Sequence, residues 1–240
     1  MGAVLIAGCG YVGAALASRL VAKGERVFGL RREAGALPEG VHAIAADLTD
    51  RASLVLPPDI DRLVYAVAPD GSSPAEYRAA YVDGLANVRD ALAACGAKVR
   101  RAVLTTSTAV YAQDDRSWVD EGSDVSATGT AALLLEGERV VQDGFEQGIA
   151  LRLAGIYGPG RDRMVRSVAD GTARRPREPR WTNRIHRDDA ASAIERLLEL
   201  DAPERVYIGV DDEPTELGAL YLWIADALGV PAPPLEDAPT

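Results

Sequence analysis

The run Gly8-Cys9-Gly10-Tyr11-Val12-Gly13 constrains this chain more than any other six residues in it. It follows the apolar run Val4 to Ala7, which reads as a parallel strand covered on both faces. It opens Val12 to Lys23, where Leu16, Leu20 and Val21 fall at helical spacing before a stop at Gly24. Glycines at Gly-x-Gly-x-x-Gly spacing between a strand and a helix each have a physical task. The first permits a tight turn, the second lets a pyrophosphate approach the backbone, and the third lets helix and strand pack closely. The helix N-terminus adds N–H groups and a partial positive charge. Gly8, Gly10, Tyr11, Val12 and Gly13 are therefore expected to hold a dinucleotide.

The rest of the chain repeats the strand–helix rhythm. Strands are expected at Val27 to Leu30, Val41 to Ala46, Leu63 to Ala68, Val99 to Thr106 and Ile149 to Ala154. Helices are expected from about Pro74 to Cys95 and from Ala131 to Gln147. Such alternation predicts an α/β fold, a doubly wound parallel Rossmann sheet. Beyond Ile156 the rhythm changes. Residues 158–187 are rich in Gly, Pro and Arg, until Asp188 opens a helix ending near Leu200. A last strand (Val206 to Val210) and a helix (about Thr215 to Leu228) follow. The expected organisation is a dinucleotide-binding core over 1–155 and a small substrate lobe over 156–240, with elements returning to the core.

Composition narrows the partners. The chain has 240 residues and a formal charge of -10, which argues against nucleic acid or an anionic membrane as a partner of its whole surface. Its two cysteines, Cys9 and Cys95, have no metal-ligand spacing, so no metal is expected. The N-terminal apolar run ends in a glycine turn within ten residues and has no basic flank, so it reads as a strand and not a signal peptide. No apolar run approaches the roughly 18 residues that span a bilayer. A cytoplasmic location is expected.

The end of the second strand distinguishes the two nicotinamide cofactors. NAD binders place an acid there for the ribose hydroxyls, whereas arginine suits a 2′-phosphate. Here Leu30 is followed by Arg31 and Arg32, with no acid until Glu33. Two guanidinium forks able to grip phosphate in bidentate fashion favour NADP; the alternative is a pair of solvated surface arginines.

Several segments, taken in order, resemble the extended short-chain dehydrogenase/reductase superfamily, in its NAD(P)-dependent epimerase/dehydratase group. They are the glycine turn, Asp47-Leu48, Ala66-Val67-Ala68, the helix segment from Tyr81 to Asn87, Thr106 to Tyr111, Ile156 to Arg161, and Asn183 to Asp189. The resemblance implies that Asp47 and Leu48 lie against adenine and that Ala66, Val67 and Ala68 line the path of the ribose and nicotinamide. It places Ser107 at the family's catalytic serine position.

The resemblance departs in two places: Ala7 stands where many extended members have the first glycine of the turn, and a second departure concerns the proton-transfer pair. Active members carry a Tyr-x-x-x-Lys pair whose lysine holds the ribose and lowers the tyrosine pKa. At the corresponding positions this chain has Thr128 and Ala132. Its two lysines, Lys23 and Lys98, do not follow any tyrosine by four residues. Tyr111, beside the serine motif, and Tyr157, after the sixth strand, are the candidate replacement phenols; otherwise they are packed aromatics. His186, one of two histidines, is a further candidate for acid/base work, though the resemblance reads its segment as structural, with Asp188 or Asp189 capping the next helix.

Between Arg161 and Arg187 stand nine arginines against three acids, a surplus of six positive charges in an acidic chain. In the resembled family this region is the substrate lobe, so an anionic or sugar-nucleotide-like small molecule is expected. Trp181, among the arginines, is a candidate to stack on a base or sugar; the alternative is that it simply packs. A homodimer stays open. Two functions are compatible with these residues: an NADP-dependent oxidoreductase or epimerase/dehydratase-like enzyme with a degenerate active site, and a non-catalytic NADP-binding sensor or scaffold.

Overall fold

A computed structural model describes residues 2–33, 35 and 37–237. The chain divides into two compact units. The larger comprises everything through Leu153 together with Asp188–Gly209; the smaller comprises Ala154–Arg187 and the residues from Val210 onward.

The larger unit is built on a seven-stranded sheet of β1 (Ala3–Ala7), β2 (Val27–Arg31), β3 (His42–Ala45), β4 (Ile60–Tyr65), β5 (Arg101–Ser107), β6 (Gln147–Leu153) and β10 (Val206–Gly209). The spatial order is β10-β6-β5-β4-β1-β2-β3, and every pairing is parallel. The order reverses between β1 and β4, where an open α/β sheet forms its ligand crevice at the carboxyl ends. Continuous apolar runs make this possible. All five residues of β1 are fully buried, and Leu5, Leu30, Leu63, Tyr65 and Leu104 join Leu85 and Leu92 in one core. Truncating one of these leucines to alanine costs about 2–5 kcal/mol.

Helix α1 (Tyr11–Ala22) packs Val12, Leu16, Ala17 and Leu20 inward, as their spacing requires. Its far end is held by Glu195 of α6 (Arg187–Glu199), which accepts from Arg19 at 2.7 Å and pairs with Lys23.

Two expectations are corrected. Strand β4 ends at Tyr65, so Ala66–Ala68 leave the ladder instead of closing the strand. Ala66 still donates to Ala7 O at 2.8 Å, after which the chain passes hard against the glycine turn. The small side chains there answer to backbone proximity, not to a strand. The long helix after Pro74 is also interrupted. It runs as α2 (Pro74–Arg78), a π-helical turn (Ala79–Asp83) and α3 (Gly84–Ala94). The Tyr65 hydroxyl donates to the Ala80 carbonyl inside the widened turn at 2.6 Å. The remaining large helix of this unit is α4 (Gly129–Gly144).

In the smaller unit, the region without clear periodicity resolves into short pieces. Strands β7 (Gly155–Tyr157) and β9 (Arg184–His186) pair in parallel. Strands β8 (Trp181–Thr182) and β11 (Thr215–Glu216) pair antiparallel. Helices α5 (Arg163–Ala169) and α7 (Leu217–Leu228) enclose a small core of Val168, Ala173, Ile224 and Ala225.

Candidate active site

The glycine turn is a cradle with tight walls and one open side. Gly8 has φ 82°, and a Cβ there would lie 2.6 Å from the Ala66 carbonyl and 2.7 Å from Val67 N. A Cβ on Gly13 would meet Gly8 O at 2.5 Å. Neither position tolerates a side chain. At Gly10, by contrast, a Cβ would reach nothing closer than Gly8 O at 4.0 Å. That glycine keeps space clear in front of the start of α1. Gly10 is also the N-cap of α1 and offers no capping side chain, and the first turn carries no acid. An uncapped helix start behind an open glycine fits a pyrophosphate.

Around the cradle stand the other residues expected to touch a dinucleotide. Arg31 ends β2. Arg32 makes a two-bond pair with Asp70, Nη1 to Oδ2 at 2.7 Å and Nη2 to Oδ1 at 2.6 Å. The Asp47 carboxylate accepts from the Thr49 backbone at 2.9 Å and from its hydroxyl at 2.8 Å. Those bonds hold its pKa below the ordinary carboxylate value. Leu48 is fixed through its carbonyl, which accepts from Asn87 Nδ2 on α3 at 2.8 Å. Asn87, inside a segment quoted for its family resemblance, thus acts on the Asp47-Leu48 loop.

Ser107 closes β5. Its Oγ accepts from Ala109 N at 3.1 Å and caps a short 3₁₀ turn over Thr108–Val110. The hydroxyl proton remains available to a substrate oxygen. Tyr111 follows that turn. Its hydroxyl accepts from Arg152 Nη1 at 3.0 Å, and the guanidinium carbon lies 5.1 Å from the ring centroid. Burial pushes the phenol pKa upward, although the bond from Arg152 pulls it down. Tyr111 is therefore a neutral phenol at physiological pH, able to donate its own proton while accepting from Arg152.

Arg152 on β6 and Glu138 on α4 form a buried, two-bond ion pair at 3.0 and 2.8 Å. Sequence reasoning missed this pair. The signal was an arginine in the middle of the apolar strand Ile149 to Leu153, which demands a buried counter-ion. Thr106, registered opposite Arg152 across the β5–β6 ladder, is buried with its hydroxyl unpartnered. At the start of α4, Thr128 is the N-cap but makes no capping bond; its hydroxyl lies 3.1 Å from that of Ser126. Ala132 follows one turn later. Helix α4 thus carries neither a tyrosine nor a lysine.

In the smaller unit, Tyr157 ends β7, 43% exposed, its ring edge-on to His186 at 5.2 Å between centroids. Several arginines of this unit already have local duties. Arg166 pairs with Asp162 at 2.9 Å, Arg174 donates to Gly171 O and Ala173 O, and Arg175 Nε donates to Pro233 O. The Trp181 side chain is exposed.

A family model described as the NAD dependent epimerase/dehydratase family matches residues 4–209. The chain belongs to that family. It is 37% identical to a Methylobacillus flagellatus protein whose solved structure is described as that of an NAD-dependent epimerase/dehydratase; the TM-score is 0.82, covering 100% of this chain and 85% of the other. It is 28% identical to a 3-diazoavenalumate denitrifying reductase of a Streptomyces species, over 96% of this chain and 83% of the relative. The structure of MoeE5 in complex with UDP-glucose and NAD shares the fold, with a TM-score of 0.81 at 21% identity over 99% and 85% of the two chains. Among the described residues, no helix is long and apolar enough to cross a membrane.

Proposed function

We propose that this family member is an NADP-dependent oxidoreductase, or an epimerase/dehydratase-like enzyme, acting on an anionic, sugar-nucleotide-like small molecule without a Tyr-x-x-x-Lys pair. The observation that carries the cofactor reading is the open glycine at the head of an uncapped α1, with Arg31 and Arg32 at the tip of the neighbouring strand. A nicotinamide dinucleotide bound there supplies hydride transfer. The Gly8–Gly13 backbone holds its pyrophosphate, Asp47 and Leu48 border its adenine, and Ala66 to Ala68 leave room along its path. Ser107 donates to a substrate oxygen. Tyr111, kept neutral by burial and oriented by Arg152, delivers the proton; Tyr157 is the second candidate phenol. The reductase name of the Streptomyces relative and the UDP-glucose complex of MoeE5 support this class of chemistry and substrate.

A second reading, a non-catalytic NADP-binding sensor, is favoured by one observation: Thr128 and Ala132 stand where the proton-transfer pair would be. The test is consumption of NADPH, followed at the nicotinamide absorbance, across nucleotide sugars and small carbonyl compounds. Turnover that Tyr111→Phe lowers at least tenfold is expected. Binding without turnover across the whole panel contradicts the enzyme.

A further inference from the structure

The guanidinium of Arg32 is not waiting bare for a phosphate. Its Nη1–Nη2 edge is filled by both oxygens of Asp70, in the parallel two-bond geometry with which arginine grips phosphate. Asp70 belongs to the loop that continues from Ala66–Ala68, the stretch that walls the glycine turn. The loop is well anchored. Ser73 and Glu76 form a reciprocal capping box at the start of α2, and a Cβ on Gly71 would lie 2.4 Å from the Glu76 carboxylate. Asp70 is thus presented to Arg32 by a fixed loop and does not merely meet it by chance.

The charges around the strand tip point the same way. Asp47 acts electrostatically on both Arg32 and Asp70, and Glu33 acts on Arg32. Arg32 therefore has three carboxylates acting on it, Asp70, Asp47 and Glu33. Both members of the Arg32–Asp70 pair are 64% exposed, so water and salt weaken the bond and exchange with an incoming dianion is easy.

We propose that Asp70 is a specificity-determining residue, a built-in competitor that the 2′-phosphate must displace from the Arg32 fork. The competition rests on the NADP reading above. It lowers affinity for the 2′-phosphorylated cofactor and leaves the unphosphorylated one untouched, so the chain discriminates less than its two arginines alone would allow. Removing the charge of Asp70 frees the fork and removes a like charge from beside the bound phosphate.

The test is fluorescence titration of NADPH and NADH against the full chain and its Arg32→Gln, Asp70→Asn and doubly substituted variants. Arg32→Gln is expected to weaken NADPH and spare NADH; this arm alone judges the NADP reading. Asp70→Asn is expected to tighten NADPH by roughly two- to fivefold, with NADH unchanged, and to give no gain once Arg32 is glutamine. If Arg32→Gln weakens NADPH but Asp70→Asn weakens it too, Asp70 orients the fork and the competition is overturned. An unchanged NADPH affinity in Asp70→Asn also overturns it. If Arg32→Gln leaves NADPH unaffected, the NADP reading and the competition fall together. Since the pair is exposed, the melting temperature of Asp70→Asn serves as a control and should match that of the parent.

Discussion

Helices α1 and α4 both begin without a side-chain cap, and they do so for opposite reasons. At α1 the N-cap is Gly10, and the walls around it are so close that Gly8 and Gly13 cannot carry a methyl group. At α4 the N-cap is Thr128, a residue well able to cap, whose hydroxyl lies against Ser126 instead. The first site is made of backbone, so the fold itself maintains it. At the second, threonine and alanine stand at the head of an intact helix. The cradle at α1 is shaped by backbone, whereas what α4 presents at Thr128 and Ala132 is set by side chains alone.

The largest expected effect breaks the first site. Gly13→Val drives a side chain into the Gly8 carbonyl, and dinucleotide binding should fall beyond detection in a calorimetric titration while circular dichroism confirms the sheet. Next comes the buried pair behind α4. Arg152→Met leaves Glu138 as an uncompensated buried charge and should cost about 3–5 kcal/mol in denaturant unfolding; pairing it with Glu138→Leu should recover most of that loss.

A smaller effect concerns the far end of α1. Lys23 and Arg19 hold the Glu195 carboxyl below its ordinary pKa of 4.5. A depressed carboxylate stabilises above its unfolded pKa, and that stability disappears as pH falls through the folded value. Glu195→Gln should therefore cost about 1 kcal/mol at neutral pH and progressively less below pH 4.5, as read by thermal melting. The smallest effect sharpens the contrast between the two helix starts. Thr128→Ala should change stability by less than about 0.5 kcal/mol, where loss of a working cap costs about 1.

The features set by backbone periodicity were legible in the sequence. The strand and helix around Gly8–Gly13 and the parallel sheet follow from apolar runs and glycine spacing. Ala66–Ala68 misled because small apolar residues read the same whether they form a strand or clear space for a neighbouring turn. Asp70 lies between Pro69 and Gly71, a run that signals only a turn, and nothing local ties it to Arg32, 38 residues earlier. Glu138 and Arg152 come from different elements, and their pairing exists only once α4 lies on β6. Side-chain partnerships of this kind need the fold before they can be seen.

The proposed function pairs a phosphate-reading cofactor site with a helix start that carries Thr128 and Ala132. The most direct measurement is the ratio of NADPH to NADH dissociation constants for the unaltered chain at fixed salt. Arginine at the strand tip predicts that NADPH binds more tightly, by about tenfold, with Asp70 holding the ratio to that modest value. Equal affinities, or a preference for NADH, would contradict the account.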